Sequence, residues 1–214
     1  MPRYVTIMSI NVIEHPLASH YLTVLRDKDT TPDSFRALTK RLTVLLVIEA
    51  TRQLRMSPRT VQTPMEEYDG RELAEGLTVV PVLRAGLGML DPIVEFFPDV
   101  SVGYIGLERD HATAIASAYY AKLPPKMNNR LTLVLDPMLA TGGSASDAIA
   151  RVKAAGADRV VMLCIVAAPE GVRRLNAEHP DVPIFTAGLD RELNARKYIL
   201  PGLGDFGDRL YGTE

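Results

Sequence analysis

Apolar residues in the first part of the chain recur at helical spacing. Phe35, Leu38, Leu42, Leu45 and Leu46 fall on one face of a helix. Thr31-Pro32-Asp33 supplies its start, with a hydroxyl at the N-cap, proline in the first turn and an acid near the positive end of the helix dipole. Residues 1–75 therefore read as a mainly helical framework. A Pro-broken stretch, Ser57–Pro64, interrupts it as an irregular connection or edge strand. From Leu77 the pattern changes. Short continuous apolar runs at Leu77–Leu83, Val102–Leu107, Leu131–Leu135, Val160–Ala167 and Val182–Thr186 alternate with helix candidates at Gly88–Phe97, Ser144–Ala155 and Glu170–Glu178. Strands apolar on both faces and separated by helices predict an α/β fold, a Rossmann-like parallel sheet flanked by helices. Ligands of such sheets sit beyond the carboxyl ends of the strands, so chemistry is expected just after Leu83, Leu107, Leu135, Ala167 and Thr186.

Composition narrows this picture. With 214 residues the chain suits one domain, 1–214, with an α/β core at 77–187 and a tail at 188–214. Its 47% hydrophobic and 23% charged residues exclude a largely disordered chain. The 24 basic and 26 acidic residues leave a net charge of −2, which gives no global field for nucleic acid or an anionic membrane. Any polyanion must be held by a few local groups. The single cysteine, Cys164, sits in an apolar run and reads as a small core residue. The segment Met1–Ile13 lacks the basic and apolar regions of a signal peptide, and no apolar stretch nears the ~20 residues of a membrane span, so a cytoplasmic location is expected. The four histidines show no metal-ligand spacing and read as structural or solvated. His111 stands apart because it lies in Asp110–Ala118, a stretch expected to form a mobile arm or lid.

The segment Leu131–Ile149 is the most informative. A buried strand ends at Asp136, and a short loop rich in Thr, Gly and Ser leads into a helix beginning near Ser144. Backbone N–H groups of Ala140, Thr141, Gly142 and Gly143 can converge there, the helix N-terminus adds partial positive charge, and the Thr141 and Ser144 hydroxyls are further donors. That outline suits a phosphate monoester, or merely a Gly-rich turn with a capping serine. It lacks the Gly-Lys-Ser/Thr ending of a nucleotide P-loop. Arg84, at a strand end before Ala85-Gly86-Leu87-Gly88, could bind a diphosphate bidentately or be an ordinary surface arginine. In the tail, Gly202-Leu203-Gly204-Asp205-Phe206-Gly207 matches the dinucleotide fingerprint G-x-G-x-x-G, but the seven residues after Gly207 leave no room for the expected helix, and no acid follows about twenty residues on. Arg191, Arg196 and Lys197, just before it, read as solvated charges.

Together these segments carry a resemblance. LVLDPMLATGGS resembles the phosphoribosyl-pyrophosphate (PRPP) motif of the phosphoribosyltransferases in the form found in the uracil phosphoribosyltransferases, with Pro137 after Asp136. VVPVLRAGLGML (79–90) and YILPGLGDFGDRLYGT (198–213) resemble that family's other two signatures, in the same order, with a weaker echo in EHPL (14–17). The resemblance implies the type I phosphoribosyltransferase fold, with a C-terminal base-binding region, and transfer of the phosphoribosyl group of PRPP to uracil. It implies that Arg84 and Arg109 bind the pyrophosphate and that Asp136, Pro137, Met138, Leu139, Ala140, Thr141, Gly142, Gly143 and Ser144 surround PRPP. Tyr198, Ile199, Gly204, Asp205 and Phe206 would surround uracil, whose O2, N3–H and O4 suit backbone donors and acceptors. Asp205 would also help hold Mg²⁺–PRPP through water. Catalytic roles thus fall to Arg84, Arg109, Asp136 and Asp205. A homodimer or higher homo-oligomer and a GTP effector are further implications. A non-catalytic PRPP-sensing regulator, or a transferase for another base, is the alternative.

Overall fold

In the computed structural model, which describes residues 10–97, 99–109 and 116–213, the chain opens with a short strand, β1 (Ile10–Val12), and two helices, α1 (Pro16–Arg26) and α2 (Pro32–Ala50). His15 caps α1: its ring Nδ1 accepts the Leu17 amide at 3.1 Å, and Pro16 fills a first-turn position that needs no donor. Thr31 stands at the N-cap of α2, but its hydroxyl caps no backbone amide. It bonds to the Asp33 carboxylate instead, the first of the influences that hold that group below its ordinary range. Phe35, Leu38, Leu42 and Leu46 are buried, with Leu45 half-buried beside them, so the apolar face is the one expected.

The Pro-broken stretch takes the strand form, the second of the two expected for it. β2 (Met56–Gln62) pairs antiparallel along its whole length with β3 (Glu67–Leu73), and the Thr63 amide closes the turn on the Glu66 carbonyl at 2.9 Å. Pro58 is tolerated because this two-stranded ribbon has no third strand. The expectation of a mainly helical first 75 residues is corrected to two helices, a hairpin and a sheet-edge strand. Nearly all hairpin residues are exposed, so no apolar alternation marked it.

The sheet follows: β4 (Gly76–Leu83), a 3₁₀ turn (Ala85–Met89), α3 (Leu90–Phe96), β5 (Ser101–Val102), β6 (Tyr104–Arg109), β7 (Ala116–Lys122), β8 (Arg130–Leu135), β9 (Met138–Leu139), α4 (Gly143–Ala154), β10 (Arg159–Ala167), α5 (Pro169–Glu178) and β11 (Ile184–Leu189). Their order is β1-β11-β10-β8-β4-β6-β7, parallel except for β7, with β5 and β9 as short additions beside β4 and β10. Side chains alternate between two cores. Leu131, Leu133 and Leu135 of β8, with Val161, Leu163 and Ile165 of β10, face the core shared with α1, α2 and α3. Val134, Val160, Met162 and Cys164 face the core shared with α4 and α5. Helices on both faces explain why these strands read as unbroken apolar runs. The last strand lies further along than Val182–Thr186: Pro183 has no amide to give, and its carbonyl accepts from Met162 at 3.0 Å.

The tail continues as β12 (Glu192–Leu193), which touches α5, β13 (Ile199–Leu200), and α6 (Phe206–Tyr211), which packs on α2. A six-residue helix thus does form where none was expected to fit. It follows a two-residue strand outside the main sheet, so the βαβ setting of a dinucleotide site is absent from the described residues.

Candidate active site

Three segments meet at the carboxyl edge of the sheet. β4 delivers the first. Arg84 follows its last residue across a cis peptide bond, and its side chain is 64% exposed, with the guanidinium 3.9 Å from Asp208 of α6. The 3₁₀ turn after it packs closely on its surroundings. A Cβ at Gly86 would collide with the Leu135 carbonyl, and one at Gly88 would stand 2.7 Å from Leu210. Glycine is a steric requirement at Gly86, where the neighbour is backbone, whereas the Leu210 side chain beside Gly88 can move.

β8 delivers the second. Asp136 is half-buried at the strand end, and its Oδ1 accepts the Met138 amide at 3.4 Å. The sheet takes part of the loop for itself. The Pro137 carbonyl accepts from Ile165 and Val166, Leu139 is 1% exposed in a core, and its carbonyl accepts from Ala168. The Ala140 amide donates to the Met138 carbonyl at 2.9 Å. That corrects the expected cradle, to which Ala140 has no amide to offer, and leaves Thr141, Gly142 and Gly143 at the head of α4. An α-helix leaves its first amides without intrahelical acceptors, and α4 starts here. Gly142 is its N-cap at φ 78°, and a Cβ there would meet the Gly171 carbonyl at 2.9 Å. Backbone conformation and close packing of α5 both demand glycine.

The tail delivers the third. A cavity of about 230 Å³ is lined by Met138 and Ala140 from the second segment and by Arg196, Lys197, Tyr198, Ile199, Gly204, Asp205 and Phe206. Asp205 is exposed, and its Oδ1 also accepts the Asp208 amide at 3.0 Å, which caps α6. The Phe206 ring turns away from solvent. It is 2% exposed and meets Phe35 edge-on at a centroid distance of 5.0 Å. Arg196 and Lys197, expected as solvated charges, border the cavity. Arg109 ends β6, but its guanidinium and residues 110–115, including His111, lie outside the described residues.

Residues 12–213 match the family model described as uracil phosphoribosyltransferase. The uracil phosphoribosyltransferase of Roseiflexus castenholzii is 52% identical over 202 residues, covering 94% of this chain and 97% of the relative. The chain belongs to the uracil phosphoribosyltransferase family. A solved protein structure from Aquifex aeolicus, 35% identical, superposes with a TM-score of 0.90 over 96% of this chain and 99% of that one. An adenine phosphoribosyltransferase from Trypanosoma brucei, 13% identical, shares the fold at a TM-score of 0.61 over 93% of this chain and 89% of its own.

Supports that the motifs do not mark hold the tail of this chain in place. Asp190, 7% exposed after β11, pairs with Arg26 of α1 at 2.5 Å and accepts the Gly202 amide, while Arg26 also donates to the Gly202 carbonyl. Arg209 donates to the carbonyls of Leu25, Asp27 and Leu203 and stacks over Phe35 at 4.6 Å. Only Asp190's place at a strand end could have signalled any of this. Cys164 is fully buried, and desolvation pushes its thiol up to about 12, which leaves it inert.

Proposed function

We propose that the protein transfers the phosphoribosyl group of PRPP to uracil, giving UMP and pyrophosphate. The observation that carries this reading is the shared cavity: the loop after Asp136 and the glycine-rich tail line one 230 Å³ space, with the Arg84 turn reached through α6. The loop 141–144 suits the 5-phosphate, whose remote binding energy aligns the reacting carbon. Asp136 suits the ribose hydroxyls. Displacement at the anomeric carbon passes through an oxocarbenium-like state while negative charge grows on the departing diphosphate. Arg84 and Arg109 stabilise that charge, and no covalent nucleophile is needed. Backbone groups at Ile199 and Gly204–Phe206 read the uracil edge.

Mg²⁺ is proposed as the accompanying cation. Such an ion keeps most of its waters and binds through one or two carboxylates plus substrate phosphates, so the exposed Asp205 carboxylate at the cavity fits it. When bound with PRPP, Mg²⁺ supplies neutralisation of the diphosphate charge. Family resemblance alone supports GTP as an activator. A homodimer or larger homo-oligomer is supported by the hairpin β2–β3, which is exposed on both faces and would be marginal as an isolated ribbon. Phosphorylated substrates and a buried lone thiol suit a cytoplasmic setting.

One incubation tests the reading: protein, Mg²⁺ and PRPP with uracil, orotate, cytosine or hypoxanthine, with and without GTP, resolved by chromatography. UMP from uracil alone is expected. Product from another base would reassign the substrate. PRPP binding without any product would support the sensing regulator.

A further inference from the structure

Helix α6 touches the site at two places. Its N-cap, Asp205, borders the cavity, and its last residue, Tyr211, reaches the turn after β4. The Tyr211 hydroxyl donates to the Arg84 carbonyl at 3.2 Å. Leu210, one residue earlier, packs on Gly88 so closely that a Cβ there would stand 2.7 Å from its Cδ2, and Asp208, one turn earlier, lies 3.9 Å from the Arg84 guanidinium. Arg36 of α2 fixes the helix from behind by donating to the Leu210 carbonyl at 2.9 Å. Arg84 is therefore gripped at its main chain by one end of α6 and accompanied at its side chain by the middle. The Arg84 side chain is 64% exposed, and its guanidinium has no closer carboxylate partner among the described residues. The backbone sets where this solvated side chain starts, and the Arg84 carbonyl accepts the Leu87 amide at 3.1 Å beside the Tyr211 hydroxyl.

We propose that Tyr211 is a positioning residue for Arg84: its hydroxyl fixes the carbonyl from which the Ala85–Met89 turn begins, and so aims the guanidinium at the diphosphate of PRPP. The inference rests on the transferase reading above for the identity of the diphosphate. Tyr211 acts through the Arg84 main chain, in contrast to the loop at 141–144, which offers its own donors.

Tyr211→Phe keeps the ring and removes the one bond. A neutral hydrogen bond of this kind changes an equilibrium by roughly 3- to 10-fold. Steady-state kinetics should show kcat/KM for PRPP lowered by about that factor, with KM for uracil unchanged and the thermal midpoint lowered by only about 2–4 °C. In an Arg84→Ala background the same substitution should leave kcat/KM for PRPP unchanged, because no guanidinium remains to be aimed. That non-additivity separates positioning from general loosening. Titration calorimetry with inorganic pyrophosphate and Mg²⁺ reads the effect without turnover, and Tyr211→Phe should again bind about 3- to 10-fold more weakly. Wild-type values for Tyr211→Phe, equal losses in both backgrounds, or no pyrophosphate binding by the wild type would each overturn the proposal. A wild type that binds pyrophosphate but makes no nucleotide would overturn the transferase reading instead, and the calorimetric comparison would still decide the role of Tyr211.

Discussion

Arg84 and Phe206 show how differently two signature residues are used. Arg84 is largely solvated, costs the fold little, and is free to meet an anion. Arg84→Ala should leave the thermal midpoint near wild type while lowering turnover by roughly 10²- to 10³-fold, the loss expected for one charge-stabilising donor. UMP formation at saturating PRPP checks this, and near-normal turnover would remove Arg84 from its role. Phe206 is the reverse. Its ring belongs to the core against Phe35, so only its main chain can face a base. Phe206→Ala should cost about 3–5 kcal/mol and lower the midpoint by roughly 10 °C, without changing the order of preference among bases. A switch in that order, measured by the base panel, would show that the ring shapes the pocket after all.

At the scale of elements, the strands and the loop at 136–144 were legible because two-sided burial and phosphate-like loop chemistry leave marks in a single stretch of chain. Tertiary supports leave none. Arg26 and Asp190 are separated by 164 positions, yet together they hold both the amide and the carbonyl of Gly202. The hairpin was missed because its residues face solvent on both sides, and α6 because its six residues are held from outside by Arg36 and by its cap, Asp205. Asp190→Ala would leave Arg26 without its carboxylate beside the tail. The loss should fall near or below the lower end of the roughly 3–5 kcal/mol seen when one partner of a buried pair is removed, because Arg26 keeps 23% of its side-chain surface exposed. Since the network grips the tail and not the loop at 141–144, KM for uracil should rise more than KM for PRPP. Equal changes in both constants would argue against a selective hold on the tail.

Across the whole molecule, the groups assigned to substrate and the Glu75 ion-pair cluster occupy opposite edges of the sheet. The groups assigned to substrate follow the carboxyl ends of β4 and β8. Glu75 precedes β4 at the amino edge, where its side chain is 2% exposed between Arg159, the first residue of β10, and Arg55 at the base of the hairpin. Burial pushes its pKa up, but hydrogen bonds from Arg159 and from the amide and side chain of Arg55 outweigh that and hold it below the ordinary 4.5. A carboxylate depressed in the folded state contributes stability that is complete above its unfolded pKa and disappears as pH falls through the folded value. The wild-type midpoint should therefore drop progressively below about pH 4.5. Glu75→Gln should lower the midpoint at neutral pH by on the order of 5 °C, and the gap to wild type should close as the pH falls below that point. Turnover at 25 °C and neutral pH should stay near wild type, because the substitution lies at the edge of the sheet away from the site. Thermal melts from pH 7 to 3, run beside the UMP assay, measure both. A gap that stays constant with pH would mean that Glu75 stabilises the fold by shape and not by charge. A large loss of turnover would mean that the two edges are coupled through β4.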